Sequence, residues 1–280
     1  PWADWSVETE AGCGIDGLAL RTDLNAASGQ TLWIHCEFER KVLGLEIGDA
    51  RIAYDDTWVI GEELTPRTRT AEVERGAELF RRADVRISAE GALACASCHP
   101  DGRSDGLSWR LGVSVLQAPI LAGRVAGTGP YKWDGQDPDL HASLRHTIER
   151  LGGRPGEIRE DELDALIAYI ESLPAPTPKS PTDPEAVARG RAVFEEAGCD
   201  SCHLGPQLTD AQQHDLDTTL EQVDTPSLLG LSHSAPYFHD GSAIDLRTLV
   251  RARGTVHDMA DMSELRDAQL ADLVAYLESL

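Results

Sequence analysis

The 280-residue chain has no run of eighteen or more apolar residues, so nothing in it reads as a membrane-spanning helix. Basic residues are scarce: 25 Lys and Arg face 48 Asp and Glu, for a formal charge of −23. The deficit is uneven, with 4 basic against 13 acidic residues in 1–66, 14 against 17 in 67–173, and 7 against 18 in 174–280. Phosphate contacts need the opposite sign, so nucleic acid is disfavoured as a partner. A basic protein steered onto the last third suits the charge better. No charged-then-apolar leader opens the chain at Pro1, which predicts a processed product. Methionine is nearly absent: Met259 and Met262 are the two, both near the C-terminus. Against these shortages stand an apolar share of 41% and a length sufficient for two packed domains.

The chain repeats itself. CASCH at 95–99 recurs as CDSCH at 199–203, APIL at 118–121 as TPSL at 225–228, and GPYKWDGQDPDL at 129–140 as APYFHDGSAIDL at 235–246. LDALIAYIESL at 163–173 returns as LADLVAYLESL at 270–280, and RGAELF at 75–80 as RGRAVF at 189–194. Ordered matches at a near-constant offset mark a duplicated unit. Helical periodicity predicts an opening helix over 71–82 and 184–197, and a closing amphipathic helix at each C-terminal match. The cysteine motif and a long Gly/Pro-rich loop lie between them. PAPTPKSPTDP at 174–184 reads as an extended linker. Residues 1–66 belong to neither copy; TLWIHCEFERKVLGLEIG at 31–48 predicts a β-hairpin flanked by loops.

Four of the six cysteines form the two CxxCH motifs, Cys95, Cys98 and His99, then Cys199, Cys202 and His203. Cys13 and Cys36 remain, and suit a disulfide in an oxidising compartment. A zinc site built from both CxxC pairs would need them about 15–20 residues apart, whereas 101 positions separate Cys98 from Cys199. A thioredoxin-like pair wants a βαβ setting, which neither copy has. Attachment of a c-type haem explains every residue: the thiols add to the haem vinyl groups, and the adjacent histidine becomes the proximal iron ligand. An opening helix, a glycine-rich loop and a closing helix frame such a haem in class I cytochromes c. The expected fold is therefore mainly α: two tandem cytochrome c-like helical domains, 67–173 and 174–280, behind a small β-hairpin-containing segment, 1–66.

The irons differ in their second ligands. GTVHDMADM at 254–262 precedes the last helix and offers His257, Met259 and Met262, with His257 and Met259 favoured. The matching stretch of the first copy, RLGGRPGEIRED, has neither residue type, and no histidine or methionine lies between His99 and His141. The first iron is expected to be open and the second closed.

These motifs resemble the bacterial dihaem cytochrome c peroxidase/MauG family over roughly residues 70–280. The resemblance implies that hydrogen peroxide reacts at the N-terminal haem. The C-terminal haem would pass electrons from a small redox protein (a cytochrome c or cupredoxin) or from a protein substrate. Trp133 of YKWDG would be the bridging tryptophan, and His239 of YFHDG a structural neighbour of the second haem. An interdomain calcium would fall near Gln117, Ser234 and the carbonyl of Pro236. A periplasmic or extracellular location follows, because covalent haem is attached outside the cytoplasmic membrane. The sequence departs from the family in two places. SDGLSWRLGVSVLQAP lacks the histidine that caps the reactive iron of typical peroxidases, which suggests a MauG-like iron ready without reductive activation. The family's distal Gln and Glu fall at Ser143 and Gly153, leaving Glu149, His146 and His141 as local proton movers. The β-rich segment resembles one repeat of a YVTN-type β-propeller, as if from a larger propeller-containing chain or complex. Two competing functions stand: a non-catalytic dihaem carrier inside a larger complex, and a haem-based sensor.

Overall fold

The computed structural model describes residues 15–22, 30–36, 41–47, 58–60, 68–181, 183–216, 218–251, 259–260, 262 and 264–280. They group into two compact units, Pro1–Glu74 and Arg75–Leu280. His257 and Cys13 lie outside the described residues.

The first unit is a four-stranded antiparallel meander of β1 (Ile15–Thr22), β2 (Gln30–Cys36), β3 (Lys41–Ile47) and β4 (Trp58–Ile60). The expected hairpin is β2 with β3, paired from Gln30 opposite Ile47 to Cys36 opposite Lys41. The flanks are not all loop, since β1 and β4 extend the sheet on either side. IDGLALRT carries a glycine and shows no clean alternation, so its strand character comes from pairing with β2 rather than from its own pattern. Trp33 sits opposite Gly44, and a Cβ there would stand 2.9 Å from the indole, so glycine makes room for the ring. Cys36 is fully buried and disulfide-bonded.

The second unit holds the duplication. Its first copy runs α1 (Ala71–Arg81), the single turn α2 (Cys95–Cys98), a hairpin of β5 (Ser108–Leu111) and β6 (Ser114–Gln117), then α3 (Leu140–Arg150) and α4 (Glu160–Ser172). The second runs α5 (Pro184–Glu196), the short pair β7 (Gln213–His214) and β8 (Val223–Asp224), then α6 (Leu246–Arg251) and α7 (Asp267–Glu278). Asp183 accepts from the amides of Glu185 and Ala186, and Pro184 follows at the first helical position, which fixes where α5 begins.

In each copy the opening and closing helices cross at a glycine. A Cβ on Gly76 would overlap the carbonyl oxygen of Ala165 in α4, and one on Gly190 that of Asp272 in α7. One turn later an aromatic pair seals each crossing: Phe80 on Tyr169 with centroids 5.2 Å apart, Phe194 on Tyr276 at 5.3 Å. Such pairs add roughly 0.5–1.5 kcal/mol beyond the area they bury. Glu162 ties α4 of the first copy to the turn between α1 and α2: it is buried, meets Arg86 at 3.0 Å and accepts from the amide of Arg159 at 3.1 Å. Among the described residues no helix is long and apolar enough to cross a membrane.

Candidate functional site

In the first copy, Cys95 and Cys98 lie three residues apart on α2, so their thiols share one face of a single turn. His99 ends the turn, with its amide donating to Cys95 O at 3.0 Å. In the second copy His203 is held in the same way, its amide on Cys199 O at 3.0 Å. Burial pushes the Cys95 and Cys199 thiols up to about 11, and raises that of Cys98 as well. A redox CxxC pair needs one thiol depressed toward a stable thiolate, and these are shifted the opposite way.

His203 Nδ1 donates to the carbonyl of Leu208 at 3.1 Å, which leaves Nε2 as the nitrogen with a free lone pair. Burial lowers the pKa of both histidines, against smaller upward pulls from the main chain of Pro119 and Arg103 at His99, and of Leu208 and Pro226 at His203. Two neutral imidazoles, each beside a one-turn thiol pair and a proline from the matched APIL and TPSL segments, are a donor set that fits covalent c-type haem.

The two PY-x-x-DG segments close on themselves alike. Tyr131 pairs with Asp137 and Tyr237 with Ala243, and the two tyrosine hydroxyls donate to Val125 O and Leu231 O at 3.0 Å each. Lys132 and Phe238 both take the left-handed backbone, with φ of +76° and +68°. The residue after each reaches the other copy through its main-chain carbonyl. Trp133 Nε1 donates to the carbonyl of Gln117 at 2.8 Å, and the Trp133 carbonyl accepts from the amide of Asp224 at 2.9 Å. His239 is 2% exposed, shares a hydrogen bond with Thr219 Oγ1 at 2.8 Å, and accepts at its carbonyl from the Gln117 amide at 2.7 Å.

The expected proton movers separate. His141 is on the surface, bonded to Asp164 of α4 at 2.8 Å, and Glu149 is exposed. His146 Nδ1 meets Oδ1 of Asp137 at 2.5 Å, and Asp137 is 0% exposed with its Oδ2 unmatched by any hydrogen bond. Lys132, which sequence reasoning missed, completes this group. Its Nζ lies 3.7 Å from Asp137 Oδ2 and donates to Ser143 O at 3.0 Å and Thr147 Oγ1 at 2.5 Å. Burial lowers the pKa of this amine to about 8, against the upward pull of Asp137. The signal was present in the repeat: lysine stands at a position where the second copy has Phe238.

Around the expected calcium position, Gln117 and Ser234 do come together, but Gln117 turns its amide nitrogen toward Ser234 O at 3.4 Å and toward Ser104 Oγ at 3.0 Å. Pro236 lies against Gly241. The Ser234 hydroxyl accepts from a cation, Nη1 of Arg124, at 3.2 Å. Burial without an anion beside it pushes the Arg124 guanidinium down to about 9, whereas Arg86, Arg159, Arg189 and Arg191 are raised by carboxylates. Near the second haem position, Met259 is 42% exposed, while Met262 packs against the core formed by Phe194, Leu273 and Leu277.

Comparison with known proteins agrees with this arrangement. The cytochrome c family model matches residues 187–280. The chain is 29% identical to hydrazine synthase subunit gamma of Kuenenia stuttgartiensis over 272 residues, covering 72% of this chain and 76% of that protein. It is 28% identical to methylamine utilization protein MauG of Methylophilus methylotrophus, covering 70% and 79%. It is 24% identical to cytochrome c551 peroxidase of Nitrosomonas europaea, covering 85% and 90%. A chain in the solved structure of Kuenenia stuttgartiensis hydrazine synthase pressurised with xenon superposes with a TM-score of 0.62 at 26% identity, covering 77% of this chain and 89% of that one. Residues 187–280 are a cytochrome c domain, and over most of its length the chain is similar to the dihaem cytochrome c peroxidase/MauG family of oxidoreductases, a likeness that supports covalently bound c-type haem.

Proposed function

We propose that the chain is a peroxide-dependent dihaem oxidoreductase whose reactive haem is the one held by Cys95, Cys98 and His99. The observation that carries this reading is the ligand asymmetry. The first copy has no histidine or methionine between His99 and His141, whereas Met262 packs into the core of the second copy with Met259 and His257 beside it in sequence. A haem iron with an open position supplies the redox chemistry that splits an O–O bond, and the chain's own residues supply the rest.

Proton movement falls to the cluster of Lys132, Asp137 and His146, which replaces the family's Gln and Glu. Asp137 is hydrogen-bonded to His146 at Oδ1 and faces Lys132 Nζ across 3.7 Å at Oδ2, so the three groups line up between the buried amine and the exposed side of the His146 ring. Trp133 is the link between copies, tied at its indole to Gln117 and at its carbonyl to Asp224. The haem at Cys199, Cys202 and His203 would take electrons from a small redox protein or a protein substrate. The acidic last third, with 7 basic against 18 acidic residues, favours a basic partner there. The location would be periplasmic. Residues 67–173 and 174–280 would be the two haem domains, and the meander β1–β4 supports reading 1–66 as a propeller-like repeat.

The test is turnover and ligand stoichiometry. Diferric holoprotein should bind one cyanide per chain and consume hydrogen peroxide when a reduced small redox protein is supplied. Binding of no cyanide, with no peroxide consumed, overturns the reading. A second reading has one observation in its favour: the relative at 29% identity is by name a synthase subunit, so the chain would act as an electron-carrying part of an assembly.

A further inference from the structure

We propose that Arg124, contributed by the first copy, is the receptor for a propionate carboxylate of the haem anchored in the second copy at Cys199, Cys202 and His203. A guanidinium carries five N–H donors in a planar fork. In Arg124, Nε donates to the carbonyl of Leu229 and Nη1 to Ser234 Oγ at 3.2 Å, while Nη2 is buried with no acceptor. Among the described residues no carboxylate forms an ion pair with it, whereas Arg75, Arg86, Arg154, Arg159, Arg189 and Arg191 all have one. A charge withdrawn from water without a counter-ion is strongly unfavourable, so the site calls for an anion that the polypeptide does not provide.

The direction of the missing anion follows from the bonds already made. Both acceptors, Leu229 and Ser234, belong to the second copy and flank the 3-10 turn Leu231–His233 that follows the TPSL segment. The positive charge of Arg124 also reaches Tyr237 of the second copy, where it opposes the burial that raises the pKa of that hydroxyl. A carboxylate is the planar acceptor that a guanidinium fork matches best, and the haem attached at Cys199 and Cys202 brings two of them on its propionates. The inference depends on haem attachment and not on the peroxide reaction, so the two stand or fall separately. Its consequence is electrostatic: a cation fixed beside the second haem favours the ferrous over the ferric state and holds the potential of that haem up.

Spectroelectrochemical titration of the holoprotein tests this. The second haem is identified as the component whose ferrous Soret band moves in His203→Tyr. In Arg124→Met the midpoint potential of that haem should fall, with a smaller shift at the other haem and a partial return in Arg124→Lys. The propionate bending modes in resonance Raman spectra should move in Arg124→Lys too, which keeps the test decisive if Arg124→Met does not mature. Unmoved potentials and unmoved propionate modes overturn the proposal. A shift confined to the first haem overturns the choice of haem. A wild-type potential that varies with phosphate at constant ionic strength, and ceases to vary in Arg124→Met, would show that a solvent anion and not a propionate fills the site.

Discussion

Trp133 donates its indole N–H to the carbonyl of Gln117 at 2.8 Å, and the Gln117 amide donates in turn to the carbonyl of His239 at 2.7 Å. One residue of the strand β6 thus joins, through its carbonyl and its amide, the YKWDG segment of the first copy to the YFHDG segment of the second. Gln117 is itself buried, so both bonds are shielded from water and the tryptophan is held in a single orientation.

Trp133→Phe keeps an aromatic ring and removes the N–H. Electron exchange between the haems and steady-state turnover should slow while both haem spectra stay intact, at a stability cost of about 0.5–1.5 kcal/mol for the lost bond. Unchanged turnover would show that Trp133 is not the bridge.

The helix crossings are set by two glycines. Gly76→Ala drives a methyl into the Ala165 carbonyl and Gly190→Ala into that of Asp272, so α1 must move off α4 and α5 off α7. Overpacking of this kind costs about 1–3 kcal/mol or more. A unit of this size loses roughly 2–4 °C per kcal/mol, so each variant should melt about 5–10 °C lower by calorimetry. Wild-type melting temperatures would mean that the crossings are looser than the geometry requires.

Asp224 gives the folded chain a pH dependence. Burial first, and then the charges of Asp210 and Asp134, raise its carboxyl to about 7. Between about pH 4, where an unfolded aspartate titrates, and pH 7 the folded chain keeps a proton that the unfolded chain releases. Stability contributed by this group is full below pH 4 and declines as pH rises toward 7. Asp224→Asn removes the decline, so its melting temperature relative to wild type should climb across that window and exceed it at pH 8. A difference between the two proteins that is flat with pH would contradict this.

The proton-moving cluster makes a kinetic prediction. Asp137→Asn and Lys132→Met should each lower the rate of peroxide reduction by roughly 10²–10⁴-fold, as loss of general acid–base assistance does. Glu149→Gln, on an exposed side chain, and His141→Gln, whose ring is bonded to Asp164 and not to Asp137, should leave it within a factor of two or three. Equal losses in all four variants would point to general damage to α3 instead.

The helical frame was readable because its signals are local. The opening helices expected over 71–82 and 184–197 are observed at Ala71–Arg81 and Pro184–Glu196, where apolar periodicity and, for α5, the Asp-Pro start agree. The hairpin β5–β6 was not readable: SWRL is largely exposed, the one buried residue of SVLQ is the polar Gln117, and the strands turn at Gly112 with φ of +65°, so no buried apolar alternation announces them. The CxxCH sites were legible as a motif. The cluster of Lys132, Asp137 and His146 was not, because it is assembled by the turn at Lys132 and by where α3 packs. His141 looked equivalent to His146 in sequence, yet one helical turn and a bit separates a residue bonded to surface Asp164 from one bonded to buried Asp137.

The claim at the centre of this account is that the two irons differ, and low-temperature EPR of the diferric holoprotein addresses it most directly. One high-spin and one low-spin ferric signal in equal amounts, with hydrogen peroxide abolishing the high-spin signal first, is the predicted result. Two low-spin haems that ignore hydrogen peroxide would contradict it.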